Sequence, residues 1–349
     1  MNVAIVGYGL AGRVFHGPLI AAIPGMRVGA IVTANPERQA EARRDFPDAL
    51  VVAQAQAVWD TADRFDLAVI ATASGSHADV AAAAIDAGIP VVVEKPMATS
   101  AAGAQSLTEH AAAREVLLVP FLNRRWDSDH LTLSSLLAEG RLGTVLRYES
   151  RFERWRPTPG SGWRDSRAPE MGGGLLLDLG AHLIDQALAL FGPVSEVYAE
   201  ILARRGGSDD DVFLALHHDS GVLSHLWAGA LAAAPGPRLR VLGDRGAYVI
   251  THLDGQEDAL RAGRRPDQPG FADPPPDRWG RLFHGDDGEP VPSISGRWSE
   301  FYAGVRNALR DGTPPPVTAT DAIAGLAIID AARESARRRV FAVPVPTNA

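Results

Sequence analysis

The chain has 349 residues, 46% hydrophobic and 22% charged, with a net charge of −8 and no cysteine. At roughly 100–200 residues per domain that length predicts two domains, and the composition is that of a globular protein rather than a disordered one. It excludes disulfides and thiolate metal sites, leaves no electrostatic footprint for nucleic acid, and contains no apolar run of the roughly 18–20 residues that span a bilayer.

The N-terminal MNVAIVGYGL lacks a basic region and a cleavage site of the secretory kind, so a cytoplasmic location is expected, with no membrane partner. Residues 2–6 read as a strand that opens directly into glycine, and 14–22 as a helix. Residues 27–32 form a second strand, and 37–44 a helix started by Asn35 and Pro36. Strands at 49–53, 67–71, 90–93 and 116–119 alternate with helices at 78–87 and 101–114. This alternation predicts a doubly wound parallel sheet over residues 1–120. From 121 to 349 the pattern changes to an α+β domain. A helix at 128–139, a strand at 145–154, a loop at 157–174 and a helix at 175–191 lead into strands at 194–203, 212–218, 222–227, 238–242 and 247–251. Asp219, Ser220 and Gly221 make a hairpin turn between two of these. Residues 254–297, rich in Pro, Gly and Asp, read as a long loop, followed by helices at 299–310 and 321–338. The second domain is therefore expected to hold an open, mostly antiparallel sheet with helices on one face.

Gly7, Gly9 and Gly12 form G-x-G-x-x-G between the first strand and the first helix, with Leu10 and Ala11 inside the motif. The first glycine permits the tight turn, the second the approach of a pyrophosphate, and the third the packing of helix on strand. The helix start offers free N–H groups to phosphate. An acid at the end of the second strand would grip a ribose 2′-hydroxyl. Here the strand ends in Thr33, Ala34 and Asn35, with Arg38 one turn into the helix. These residues favour NADP, with NAD as the alternative. Thr72, Ser74 and His77 follow the 67–71 strand, at the carboxyl edge where open α/β sheets bind ligands.

Lysine and arginine together number 34, yet only one is lysine, Lys95. It follows Glu94 at the carboxyl end of another strand. A GC-rich codon bias explains why lysines are few. It does not explain why one remains at the sheet edge, where arginine cannot replace a compact, titratable amine. Asp178 and His182 stand four apart in the 175–191 helix, behind Gly172, Gly173 and Gly174. An Asp–His pair with a lysine could bind a hydroxyl and take its proton. A surface Lys95–Glu94 pair and a merely polar helix face are the plain alternatives. His217 and His218 point to opposite faces of a strand, so no metal site is expected.

Together these residues make the chain resemble the glucose–fructose oxidoreductase/inositol dehydrogenase family (Gfo/Idh/MocA). The resemblance rests on GYGLAG at 7–12, EKP at 94–96, Asp178-x-x-x-His182 and the tail at 305–322. FHGP at 15–18 and the 172–192 stretch resemble the branch that contains NADP-dependent scyllo-inositol dehydrogenases. The resemblance implies a Rossmann domain followed by an open-sheet domain, assembled as a homodimer or homotetramer through that sheet. It implies that Lys95, Asp178 and His182 meet at the nicotinamide ring and that Glu94, Asn123, Trp163 and Arg164 approach the cofactor. By position, Arg124, Tyr148 and Arg156 are substrate-side candidates beside them. The expected activity is hydride transfer between a nicotinamide cofactor and a polyol, cyclitol or sugar. The competing readings are a cofactor-holding sensor without turnover, and non-redox glycoside chemistry through transient oxidation with tightly held cofactor.

Overall fold

The computed structural model describes residues 1–160 and 162–340, without the side chains of Trp163 and Arg164. Six short apolar runs, β1 (Asn2–Val6), β2 (Arg27–Val32), β3 (Leu50–Val52), β4 (Leu67–Ile70), β5 (Val91–Glu94) and β6 (Leu118–Phe121), form one parallel sheet. Its order is β3-β2-β1-β4-β5-β6. Val3, Ala4, Ile5, Leu67, Ala68, Val69 and Val91–Val93 have no exposed surface, as expected of strands covered on both faces. Pro120, which cannot donate to a ladder, lies on the edge strand β6. The connections carry α1 (Gly17–Ala21), α2 (Pro36–Asp45), α3 (Gln56–Trp59), α4 (His77–Asp86) and α5 (Ala101–Ala113). Strand order reverses between β1 and β4, which opens a crevice at their carboxyl ends.

The second sheet has eight strands: β7 (Val145–Glu153), β8 (Val194–Leu202), β9 (Asp211–His218), β10 (Leu223–Gly229), β11 (Leu239–Gly243), β12 (Ala247–Ile250), β13 (Gly280–His284) and β14 (Asp287–Val291). Their order is β14-β13-β12-β11-β7-β10-β9-β8. All pairs are antiparallel except β7 with β10. The helices are α6 (Ser128–Ala138), α7 (Trp163–Ser166), α8 (Ala181–Phe191), α9 (Gln256–Arg261), α10 (Ser299–Asp311) and α11 (Ala319–Arg338). The long α11 packs against β8, α8 and, in the first domain, α5. Its Asp330 accepts from the Ala101 amide at 2.9 Å.

Four local expectations need correction. Residues 254–297 are not one loop: they contain α9 and the β13–β14 hairpin, which extends the sheet. The 157–174 stretch holds the short α7 and a 3₁₀ turn at Pro169–Met171. The first helix begins earlier than residue 14, with a π-helical turn at Ala11–His16 before α1. The 175–191 helix is likewise divided, into a π-helical turn at Leu176–Gly180 and then α8. Such widened turns are rare and concentrate at functional sites. Here one carries the end of the glycine motif and the other carries Asp178.

Candidate active site

The glycine motif is built by close backbone approaches. Gly7 has φ +105°, and a Cβ there would lie 2.4 Å from the Ala71 carbonyl oxygen. A Cβ on Gly12 would lie 2.0 Å from the carbonyl oxygen of Gly7. Gly9 differs, because the nearest atom to its Cβ position is Arg38 Nη1 at 3.7 Å. The protein's own packing therefore requires Gly7 and Gly12 but leaves space at Gly9, the place where a pyrophosphate must approach. The residues fit a dinucleotide. Leu10 is exposed and Ala11 half-buried at the helix entry.

At the end of β2, Thr33 is buried and its amide donates to the Val52 carbonyl at 2.9 Å. Asn35 Oδ1 accepts from the Arg38 amide at 3.0 Å as the cap of α2. That oxygen is committed to the helix, and the Arg38 guanidinium is the group that leans over the glycine loop. Past β4, Ser76 donates to Thr72 Oγ1 at 2.9 Å, and Ser74 is buried against the Gly172 turn. The buried His77 directs Nδ1 at the Pro96 carbonyl (2.9 Å) and Nε2 at the Thr72 carbonyl (3.2 Å). Burial lowers its pKa. Expected to line the crevice, the ring instead ties together the two loops that follow β4 and β5.

Strand β5 delivers Glu94 and Lys95. Glu94 does not pair with the lysine ammonium. Its carboxylate accepts from the Lys95 amide at 2.9 Å and lies 3.3 Å from His16 Nε2. Burial alone would raise this carboxyl, but His16, Lys95 and His77 outweigh it and hold the pKa below its ordinary value. His16 Nδ1 in turn lies 2.6 Å from the Tyr302 hydroxyl on α10. Burial first, and then Glu94, raise the Tyr302 pKa well above its ordinary value. The FHGP motif carried the signal for His16, but nothing local distinguished it from a packed histidine.

The Lys95 ammonium crosses instead to Asp178, 2.9 Å from Oδ1, and also donates to the Asp178 backbone carbonyl. Both side chains are mostly buried. His182 lies in the first turn of α8 and is 6% exposed, with Nδ1 lacking a hydrogen-bond partner among the described residues. Its pKa falls well below the ordinary value, through burial and then the charges of Lys95, Arg124 and Arg238. A neutral, desolvated imidazole beside an ammonium held by a carboxylate can bind a hydroxyl oxygen and accept its proton.

The turn after β6 supplies Asn123, which is buried, and Arg124. Arg124 donates to Asp127 at 3.1 Å, lies 3.5 Å from Glu257 on α9, and sits over the rings of Phe152 and Trp298. Asp127 also accepts from Trp298 Nε1 at 2.7 Å. Burial pushes the Asp127 pKa up to about 8, against the opposing charge of Arg124. Arg125 grips Asp185 on α8 at 2.6 Å. Gln186 donates to the Arg124 carbonyl at 2.8 Å and accepts from Arg238 at 2.7 Å. Helix α9 packs on the Ala11–His16 turn, which brings Glu257 to the cleft. Sequence reasoning missed Glu257 because its segment read as loop, and missed Arg238 and Gln186 because no motif holds them.

Tyr148 is a correction: it is 1% exposed, with its ring on Phe191, and belongs to the core between β7 and α8. Arg156 is exposed past the end of β7. Its neighbour Arg154 is half-buried and within electrostatic reach of Arg156, Glu257 and Asp178. The expected Trp163 and Arg164 contacts lie outside the described side chains. Among the described residues no group of three or more His, Asp or Glu could hold a metal, and no helix is long and apolar enough to cross a membrane.

A parallel sheet with a glycine loop at its switch point, whose edge residue Lys95 meets Asp178 in the turn ahead of His182, defines a dinucleotide-binding oxidoreductase. Residues 1–121 match the family description "Oxidoreductase family, NAD-binding Rossmann fold", and residues 134–346 match "Oxidoreductase family, C-terminal alpha/beta domain". The chain belongs to the Gfo/Idh/MocA oxidoreductase family. It is 37% identical over 344 residues to "scyllo-inositol 2-dehydrogenase (NADP(+)) IolW" of Bacillus subtilis, covering 97% of this chain and 94% of that one. It is also 37% identical to the YdgJ oxidoreductase of Escherichia coli, described as uncharacterized, over 97% of both chains. The solved yvaA chain of Bacillus subtilis superposes with a TM-score of 0.92 at 36% identity, covering 98% of this chain and 97% of that one.

Proposed function

We propose that the protein is an NADP-preferring dehydrogenase or reductase of a polyol, cyclitol or sugar. The observation that carries this reading is the Lys95–Asp178 contact at 2.9 Å, which joins the carboxyl edge of β5 to the turn that leads into His182. The nicotinamide, when bound, accepts or returns the hydride. Lys95 holds and polarises the substrate oxygen. Asp178 orients that ammonium, and His182 takes the hydroxyl proton in oxidation and returns it in reduction. Helix α9 packs on the Ala11–His16 turn, and its Glu257, 3.5 Å from Arg124, flanks one side of the cleft where the substrate would be held for transfer. NADP preference is supported by the absence of an acid at Thr33, Ala34 and Asn35 and by Arg38 beside Gly9. The dehydrogenase name of the Bacillus relative, with its NADP(+), supports both substrate class and cofactor.

The same reading assembles the chain as a homodimer or homotetramer in the cytoplasm, through the sheet face that α8 and α11 leave uncovered. There Phe213 packs its ring 5.1 Å from Trp227 and 6.4 Å from Tyr198.

The test is a panel of polyols, inositols and sugars with NAD and NADP, following the absorbance of reduced nicotinamide. The expected result is cofactor consumed one-for-one with product and a higher kcat/KM with NADP. Higher kcat/KM with NAD overturns the cofactor assignment. Product without net cofactor consumption indicates transient oxidation, and no turnover across the panel favours the sensor.

A further inference from the structure

Arg238 immediately precedes β11 and is 2% exposed, among the largest fully buried side chains in the protein. Its guanidinium meets three elements. Nε lies 2.8 Å from Asp129 Oδ2 on α6, Nη1 donates to Ser150 Oγ on β7, and Nη2 donates to Gln186 Oε1 on α8 at 2.7 Å. Its flat face lies over the Phe152 ring, 4.2 Å from the centroid. Gln186 stands four residues after His182, one turn along the same face of α8. Through its amide it also holds the Arg124 carbonyl at 2.8 Å.

An apolar core could pack these elements together at least as well, because a buried ion pair gives back much of its attraction as desolvation cost. What an apolar core cannot supply is a charge. Arginine stays protonated throughout the range in which histidine titrates. We infer that Arg238 is a positioning residue for the proposed reaction: through Gln186 it fixes the turn of α8 that carries His182, and it holds a permanent positive charge against the next turn of that helix.

The surroundings of His182 agree. The cations around it are Lys95 past β5, Arg124 past β6 and Arg238 before β11, and all three disfavour a second proton on the ring. The acids on its own side are already engaged: Asp178 with Lys95, and Asp185 with Arg125. From α11, Asp321 lies 3.4 Å from Arg125. Strand β7 contributes Tyr148, Ser150 and Phe152, and burial raises the Tyr148 pKa to about 12, so none of the three carries charge near neutral pH. Arg124 is shared with Asp127 and Glu257, and Lys95 with Asp178. Arg238 is likewise paired, with Asp129 on α6 at 2.8 Å, and it is the one of the three cations held entirely inside the protein.

This inference rests on the proposed role of His182, so its test reads the imidazole directly and needs no substrate. The full-length protein is labelled with ¹³C-histidine, the His182 signal is assigned by its loss in His182→Asn, and its titration midpoint is followed by NMR. Arg238→Met should raise that midpoint by about one pH unit or more, the size of effect expected when a nearby charge is removed. Arg238→Lys, which keeps the charge, should leave it close to wild type. If Arg238→Met does not fold, Arg238→Gln, which removes the charge and keeps a donor for Ser150 and Gln186, should show the same rise. An unmoved midpoint in the folded methionine or glutamine variant overturns the inference, as does an equal rise in the lysine variant. If the midpoint moves but the panel shows no turnover, the proposed reaction fails, and only the hold of Arg238 on the His182 environment stands.

Discussion

Lys95 is the residue on which the proposed chemistry turns. Its side chain is 13% exposed and its ammonium is bound to Asp178, whereas Glu94 is occupied by His16 and the Lys95 amide. A solvated partner of Glu94 could be replaced by arginine almost without effect, since exposed pairs contribute about 0–1 kcal/mol. In the observed place a guanidinium adds bulk and a rigid planar head where the proposed reaction puts the substrate oxygen. Lys95→Arg should therefore lower kcat/KM by roughly tenfold to a hundredfold, about 1.4–2.7 kcal/mol of transition-state stabilisation. Lys95→Ala should lose at least as much, with cofactor affinity changing less. Wild-type kcat/KM in the arginine variant would remove the role assigned here. His182 makes a second expectation at this scale. Its pKa lies well below the usual histidine value, so the group stays unprotonated, and competent as a base, as pH falls through 6.5. The acid limb of kcat/KM for oxidation should lie below that pH. A limb centred above 6.5 would contradict His182 as the neutral acceptor.

The phosphate turn separates glycines that serve the fold from the glycine that serves the ligand. Gly7 and Gly12 would bring a Cβ within 2.4 and 2.0 Å of backbone oxygens, while Gly9 has 3.7 Å of clearance to a flexible arginine tip. Gly12→Ala should lower the melting temperature, because the first helix must shift away from β1. Gly9→Val should leave melting unchanged and abolish NADP binding by calorimetry, since its branch fills the pyrophosphate path. Unchanged NADP affinity in Gly9→Val would sink the assignment of this turn. Of the two π-helical turns, Ala11–His16 in the first domain carries Gly12 and Leu176–Gly180 in the second carries Asp178. The second places Asp178 on Lys95, while α8 beyond it is fixed by the Asp185–Arg125 and Gln186–Arg238 contacts.

In the whole molecule, the eight-stranded sheet has one face under α8 and α11 and one face lined by Tyr198, Phe213, His225 and Trp227. Half-exposed aromatic side chains in one patch mark an association surface more often than a solvated one. Light scattering should give a mass of two or four chains. Phe213→Asp/Trp227→Asp should reduce it to one chain with the fold retained by circular dichroism. A single-chain mass for the wild type would overturn the assembly.

The sequence by itself determined what depends on local periodicity and local backbone demand. The buried runs NVAIV, RVGAIV and LAVI, alternating with helices, read as strands of a sheet covered on both faces, and Gly7, Gly9 and Gly12 read as a phosphate turn, in which the first and last glycines are forced by packing. A single lysine among 34 cations pointed to Lys95 before any neighbour was known. The β13–β14 hairpin escaped notice because its Pro, Gly and Asp composition hid a short alternation around Leu282 and Phe283. Tyr148 looked like a ligand residue because a strand pattern does not say which face a helix will cover. Only the tertiary structure could decide the partners. Lys95 meets Asp178 across 83 residues and Arg238 meets Gln186 across 52. Such pairings depend on where desolvated charges find compensation when whole elements dock, and no local pattern encodes that.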